Sequence, residues 1–116
     1  MDIENMETLL KALSERTRLR ILALLTQGEL RVCDLMATLN MPQSTVSRHL
    51  AYLKNAHWIK ARRRGGWMYY HLKNGEYPLQ QKLWEMLDRY LHQLPEVRRD
   101  LHKLRSYLAK QLPSSA

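Results

Sequence analysis

Cysteine is almost missing from this chain of 116 residues, which holds one, Cys33. One thiol forms no intrachain disulfide, so the stapled framework of small secreted domains is excluded. Nor does it alone supply the two to four thiolates of a typical structural zinc site. Long apolar runs are missing too. The longest spans Ile21 to Leu25, far short of the roughly 20 residues that cross a bilayer, so no membrane segment is expected. The first residues, Met1 to Glu7, are acidic and lack the basic start and apolar stretch of a secretory signal, which makes the cytoplasm the expected location. There is no glycine-rich phosphate loop, no nucleophile elbow and no carboxylate pair with an evident cleft, and the five histidines are scattered. Catalysis is therefore not expected. Internal repeats and low-complexity stretches are also absent.

What remains is the composition of one globular domain, 45% hydrophobic and 26% charged. Its charge is lopsided. Nineteen Lys and Arg stand against eleven Asp and Glu, a formal +8. The excess is concentrated between Arg31 and Lys73, where eight basic residues meet a single acid, Asp34. Such a segment is the electrostatic footprint of a polyanion-facing surface, although a charge run can equally be solvated surface.

Hydrophobic spacing divides the chain. Met6, Leu9, Leu10 and Leu13 recur on one helical face over about 3–13; Leu19, Leu22 and Leu25 do so over about 15–26, with Gly28 suited to a left-handed cap. A short helix follows over about 32–39, with Val32, Leu35, Met36 and Leu39 inward. Pro42 ends the connection and opens the next helix, about 43–55. There Val46, Leu50 and Leu53 point inward, which leaves Ser44, Ser47, Arg48 and Tyr52 outward with Thr45 and His49 flanking. Short hydrogen-bonding side chains with Arg and His near a helix start suit base edges and phosphates in a major groove. Tyr52, further along, is expected to pack against the following hairpin or its own backbone.

From Ile59 to Leu72 the period becomes two, around Gly65 and Gly66. Glycine pairs tolerate the positive φ of a two-residue hairpin turn, and pairing Arg64 with Trp67 sets the register. Ile59, Ala61, Met68, Tyr70 and Leu72 then share one face, and Lys60, Arg62, Arg64, Trp67, Tyr69 and His71 the other. Beyond Pro78, Leu79, Leu83, Leu87, Tyr90 and Leu94 form one stripe. After Pro95, Val97, Leu101, Leu104, Leu108 and Leu112 form a second, and residues 113–116 read as a frayed tail. These stripes and the first helix exceed what one protomer readily covers, which points to a dimer.

Helices, a turn, a second helix with a polar outer face, then a basic hairpin make up the order of a winged helix-turn-helix. Three segments resemble the ArsR/SmtB family of bacterial transcriptional repressors: Ala12 to Leu22 (ALSERTRLRIL), Gln43 to Leu53 (QSTVSRHLAYL) and Arg64 to Tyr70 (RGGWMYY). The likeness covers about residues 6–94. It implies a mainly α fold with a small β-hairpin, dimerising through N- and C-terminal helices. It also implies a homodimer on double-stranded DNA, at an imperfect inverted repeat, that leaves when an inducer binds. By that resemblance the helix at 43–55 is the recognition helix. Gln43, Ser44, Thr45, Ser47, Arg48 and His49 are then candidate DNA contacts, and Arg62, Arg63 and Arg64 form the wing. His49 has a second reading, a hydrogen bond within the fold. The alternative class is a winged helix for architectural DNA binding or protein contact.

The family's effector motifs are incomplete here. The arsenic sensors carry Cys-Val-Cys at the start of the third helix, because arsenic and antimony favour two or three thiolates. This chain reads Arg31-Val32-Cys33. The zinc and nickel sensors use Asp-x-His and later His or Glu on the C-terminal helix; counted from Asp88, those places hold Tyr90, Leu101 and Leu104. An Asp100-x-His102 pair occurs without a second pair after it and reads as solvated surface. Cys33 remains as a candidate effector or redox residue, with burial as a small hydrophobe its other reading.

Overall fold

Local chemistry starts most of the helices. Asp2 accepts the Asn5 N–H at 2.8 Å and Asn5 reaches back to the Asp2 N–H, a reciprocal cap that opens α1 (Ile3–Ala12). The Glu15 carboxylate accepts the Arg18 N–H at 2.9 Å and opens α2 (Arg16–Leu25). The Asp34 carboxylate takes the Arg31 N–H at 2.7 Å at the start of α3 (Val32–Leu39). Pro42 precedes α4 (Gln43–Asn55), and Pro78 occupies the first turn of α5 (Pro78–Leu91). The computed structural model describes residues 1–73 and 75–111. Its remaining elements are the strands β1 (Ile59–Arg64) and β2 (Trp67–Leu72) and the long α6 (Pro95–Gln111).

The hairpin has the expected register, Arg64 opposite Trp67 through Ile59 opposite Leu72. Gly65 and Gly66 take φ +57° and +84°, values that L side chains adopt only under strain. In this register Arg63 lies opposite Met68, on the same face as Ala61 and Ile59. The hairpin is anchored outside itself as well: Leu30 exchanges both backbone hydrogen bonds with Tyr70, at 3.0 and 2.8 Å. That bridge fastens the loop between α2 and α3 to the hairpin.

A single core runs through α2, α3 and α4, with Ile21, Leu22, Leu24, Leu35, Val46, Leu50 and Leu53 all enclosed. Trp58, which no periodic pattern announced, is wholly buried. Its indole N–H donates to the Leu9 carbonyl at 3.0 Å and its ring tilts against Trp84, so it joins α1 and α5 to the core. Gln80 is equally hidden. Its amide donates to the His57 and Lys73 carbonyls and accepts the Glu76 N–H, fixing the start of α5 against both ends of the hairpin. A buried amide with every polar atom matched costs little to enclose.

Several expectations need correction. The C-cap of α2 is Thr26, in right-handed geometry, and Gly28 sits two residues further on at φ +131°, outside the left-handed helical well. On α1, Leu10 is 44% exposed although it was expected inward. The enclosed line of α5 is Gln80, Trp84 and Leu91; Tyr90 and Leu94 of the expected stripe are exposed. Helix α6 does bury Val97, Leu101 and Leu104, packed over α2 and α3 of its own chain. Leu112 and the tail 113–116 lie outside the described residues.

Candidate nucleic-acid interface

The inner and outer faces of α4 separate cleanly. Val46, Leu50 and Leu53 are fully enclosed, and the helix cannot roll without exposing them. Gln43, Ser44 and Arg48 are exposed and Thr45 and Ser47 half-buried, so five of the six candidates on this helix reach the surface of its first two turns. Arg48 has no ion pair among the described residues. An uncommitted guanidinium beside short hydroxyl side chains can fork onto a guanine edge or a phosphate.

His49 takes the inward alternative. It is 7% exposed, with Nδ1 3.5 Å from the Arg18 guanidinium and 3.7 Å from the Glu15 carboxylate. Burial holds its pKa below the ordinary histidine range; Glu15 pulls the other way, and Arg48 and Arg18 push down again. Burial by itself would raise the Glu15 carboxyl, yet the backbone N–H groups of Arg18 and Thr17 bring it below its usual value. His49 therefore leaves the set of surface contacts and becomes part of the joint between α2 and α4.

Arg18 is the hub of that joint, and spacing gave no sign of it. Its guanidinium donates to the Ala12 carbonyl at 2.9 Å and the Lys11 carbonyl at 3.2 Å, closing the C-terminal end of α1. It also lies 4.0 Å from the ring centroid of Tyr52. Tyr52, expected against the hairpin or its own backbone, thus packs on Arg18. The stack on Tyr52 and the contacts of His49 with Arg18 and Glu15 hold α4 against α2, while the two carbonyl bonds of Arg18 tie α2 to α1.

The hairpin is less free than its composition suggested. Glu29, from the loop between α2 and α3, pairs with Arg62 at 2.5 Å and with Arg64 at 3.8 Å. Arg64 also stacks over Tyr69, and Arg31 over Trp67. Arg63 is the arginine of the hairpin with no ion pair among the described residues, and it stands exposed on the opposite face.

Cys33 is half-buried at the start of α3, its thiol 3.9 Å from the Asp34 carboxylate. Tyr107 of α6 faces the same pair. Burial first, and the Asp34 carboxylate next, push its phenol up to about 12. Arg31, which stands where the arsenic sensors have their other thiol, is instead bonded to Asp34 at 3.3 Å. The Asp100-x-His102 pair does not act as a unit either. Asp100 is 4% exposed and chelated by Arg20 at 2.7 and 2.9 Å, while His102 is exposed. Among the described residues, no three of His, Cys, Asp and Glu gather in a way that could hold a metal ion. No described helix is long and apolar enough to cross a membrane.

Comparison with known proteins agrees with this geometry. Residues 15–59, from the cap of α2 to the first residue of the hairpin, match the family described as "Bacterial regulatory protein, arsR family". Over 69 residues the chain is 48% identical to the arsenic resistance transcriptional regulator ArsR2 of Pseudomonas putida, spanning 59% of this chain and 59% of that relative's length. The structure superposes on HlyU from Vibrio cholerae with a TM-score of 0.65 and 30% identity, covering 78% of this chain and 97% of that one. It also superposes on the homodimeric winged helix-turn-helix DNA-binding domain of a possible ArsR-family regulator from Mycobacterium bovis, at TM-score 0.65 and 30% identity over 76% of this chain and 79% of that one. Fold, hairpin and the matched helices thus agree, and the chain belongs to the ArsR family of bacterial transcriptional regulators.

Proposed function

We propose that this chain is a dimeric, sequence-specific repressor that binds double-stranded DNA at an inverted repeat and is released by an inducer. The observation that carries the reading is the outer face of α4. Gln43, Ser44, Thr45, Ser47 and Arg48 reach the surface from a helix whose other face is locked into the core and clamped by Arg18 and His49. A rigid helix with free polar groups in its first turns is what reading a major groove requires. The wing supplies phosphate contacts, with Arg63 the most available.

The second copy would cover α1 and α5. Ile3 and Leu10 lie seven residues apart on one line of α1, and Met86 and Tyr90 four apart on α5, with Leu94 just beyond; all five are exposed. The two helices flank the same buried Trp58. An apolar groove of about 390 Å³, lined in part by Leu13, Leu19, Leu91, Leu94 and Val97, adjoins them. Two-fold pairing through such a face presents two copies of α4 to two half-sites. As to the inducer, one protomer offers one thiolate, Cys33, short of the two or three that trivalent arsenic takes.

Selection of binding sites from a random duplex library at physiological salt tests the reading. A two-fold symmetric consensus with half-sites about one helical turn apart, or a multiple of that, is expected. Binding without enrichment would replace it with architectural DNA binding. On the selected site, Arg48→Ala should cost about 1–3 kcal/mol and relax base preference. Arg63→Ala should weaken all sequences alike and lower the salt slope by about one. Equal losses on operator and random duplex for both variants would overturn this division of roles.

A further inference from the structure

The wing's arginines are the natural phosphate ligands of this fold, yet two of the three already hold a carboxylate. Glu29 reaches them from the loop before α3, at 2.5 Å from Arg62 and 3.8 Å from Arg64. This is no chance meeting of long surface side chains. Glu29 immediately precedes Leu30, whose N–H and carbonyl are both bonded to Tyr70 of β2, so its backbone is fixed one residue from the hairpin ladder. Its side chain is 24% exposed, while those of Arg62 and Arg64 are 56% and 58% exposed. The carboxylate is thus tucked beneath the guanidiniums, and its Oε2 is enclosed with no hydrogen-bond partner among the described residues. A shielded carboxylate oxygen of that kind depends on the nearby guanidiniums for its charge balance.

We propose that Glu29 acts as an internal surrogate for a DNA phosphate, restraining Arg62 and Arg64 and so limiting the sequence-independent affinity of the wing. Carboxylate and phosphate engage a guanidinium with the same fork geometry, so the two compete for the same donors. Phosphate contacts supply essentially all of the affinity for random DNA, and a regulator must keep that affinity low to find its operator among competing sites. Arg63 is the counterexample within the same hairpin: it lies on the other face, exposed and without an ion pair among the described residues. The inference rests on the DNA-binding reading above.

The test uses the full chain and a random-sequence duplex titrated from low to moderate salt. Glu29→Gln keeps the side-chain shape and removes the charge, and a thermal melt confirms that it folds. The variant is expected to bind about three- to tenfold more tightly than the wild type. In an Arg62→Ala, Arg64→Ala background the same substitution should gain nothing. Weaker binding by Glu29→Gln would overturn the proposal, because it would mean that the carboxylate positions the arginines for DNA. A gain that persists in the doubly substituted background would also overturn it, reducing the effect to a long-range change in charge. If the wild type binds and Arg63→Ala weakens it while Glu29→Gln changes nothing, this inference fails and the DNA-binding reading stands. A wild type that binds no duplex undoes both.

Discussion

Helices α5 and α6 carry the same kind of leucine stripe and acquire their cover in different ways. On α6, Val97, Leu101 and Leu104 are enclosed within their own chain against α2 and α3, with Leu108 half-buried on the same core. On that flank Arg20 chelates Asp100, and Tyr107 faces Asp34. On α5 the enclosed residues are Gln80, Trp84 and Leu91, while Met86 and Tyr90 stay bare, as does Leu94 just past its end. Apolar periodicity therefore says that a face needs cover without saying who supplies it. What distinguishes the two helices is polar. Two buried side chains, Asp100 and Gln80, tell each helix which way to turn, the first by seeking a guanidinium and the second by seeking backbone partners.

The sharpest way to break the comparison is to release α6. Asp100→Ala leaves Arg20, 17% exposed at its side chain, with the 3.3 Å contact to Glu96 as its one remaining ion pair among the described residues. Removing one member of a buried pair costs about 3–5 kcal/mol, and the remaining Glu96 contact places the expected loss near the lower end. Replacing both partners by apolar residues, as in Arg20→Met with Asp100→Leu, should recover most of it. Urea unfolding of the three proteins measures this. If the double variant is as unstable as the single one, the pair is not what seats α6.

A paired truncation sharpens the contrast further. Leu101→Ala opens a cavity inside the protomer and should cost about 2–5 kcal/mol of stability. Tyr90→Glu, on the bare line of α5, should leave the fold of the protomer intact. It should, however, raise the dissociation constant for self-association by about tenfold or more, because it buries a carboxylate in an apolar face. Sedimentation across a dilution series reads the second effect and thermal melts the first. Tyr90→Glu sedimenting like the wild type would remove α5 from the dimer face.

The same contrast shows how much was legible in the residues. The bounds of α3 and α4 and the register of the hairpin agreed with the structure because each is fixed by neighbours in sequence: Val46, Leu50 and Leu53 on one helical line, and Gly65 and Gly66 at the two turn positions of the hairpin, both at positive φ. The outer face of α4 followed from the same geometry. What escaped were pairings across long separations. Glu29 and Arg62 are far apart in sequence, as are Arg18 and His49, and nothing local marks them as partners. His49 sits on the flank of its helix, where spacing allows either side, and it was burial beside Glu15 and Arg18 that decided. Trp58 lies between α4 and the hairpin and Gln80 is a polar residue on the enclosed line of α5, so apolar spacing marks neither, and only the assembled core shows that they join its parts. Asp100 read as surface because a lone acid on a helix usually is, and its guanidinium lies on another helix.

The smallest expected effect is a titration on the α6 side. Tyr107 faces Asp34 and Cys33, and its phenol, raised by burial and by the neighbouring carboxylate, stands at about 12, against about 10 in an unfolded chain. Between those values the unfolded chain has lost a proton that the native state still holds, so stability falls as pH rises. The contribution is present in full below about pH 10 and is gone above about 12. Tyr107→Phe removes the titrating group and keeps the ring over α3, so its stability should decline less between pH 9 and pH 11 than that of the wild type. Parallel decline of the two would mean that Tyr107 is held by ring packing alone, and that the polar seat of α6 reduces to Arg20 and Asp100.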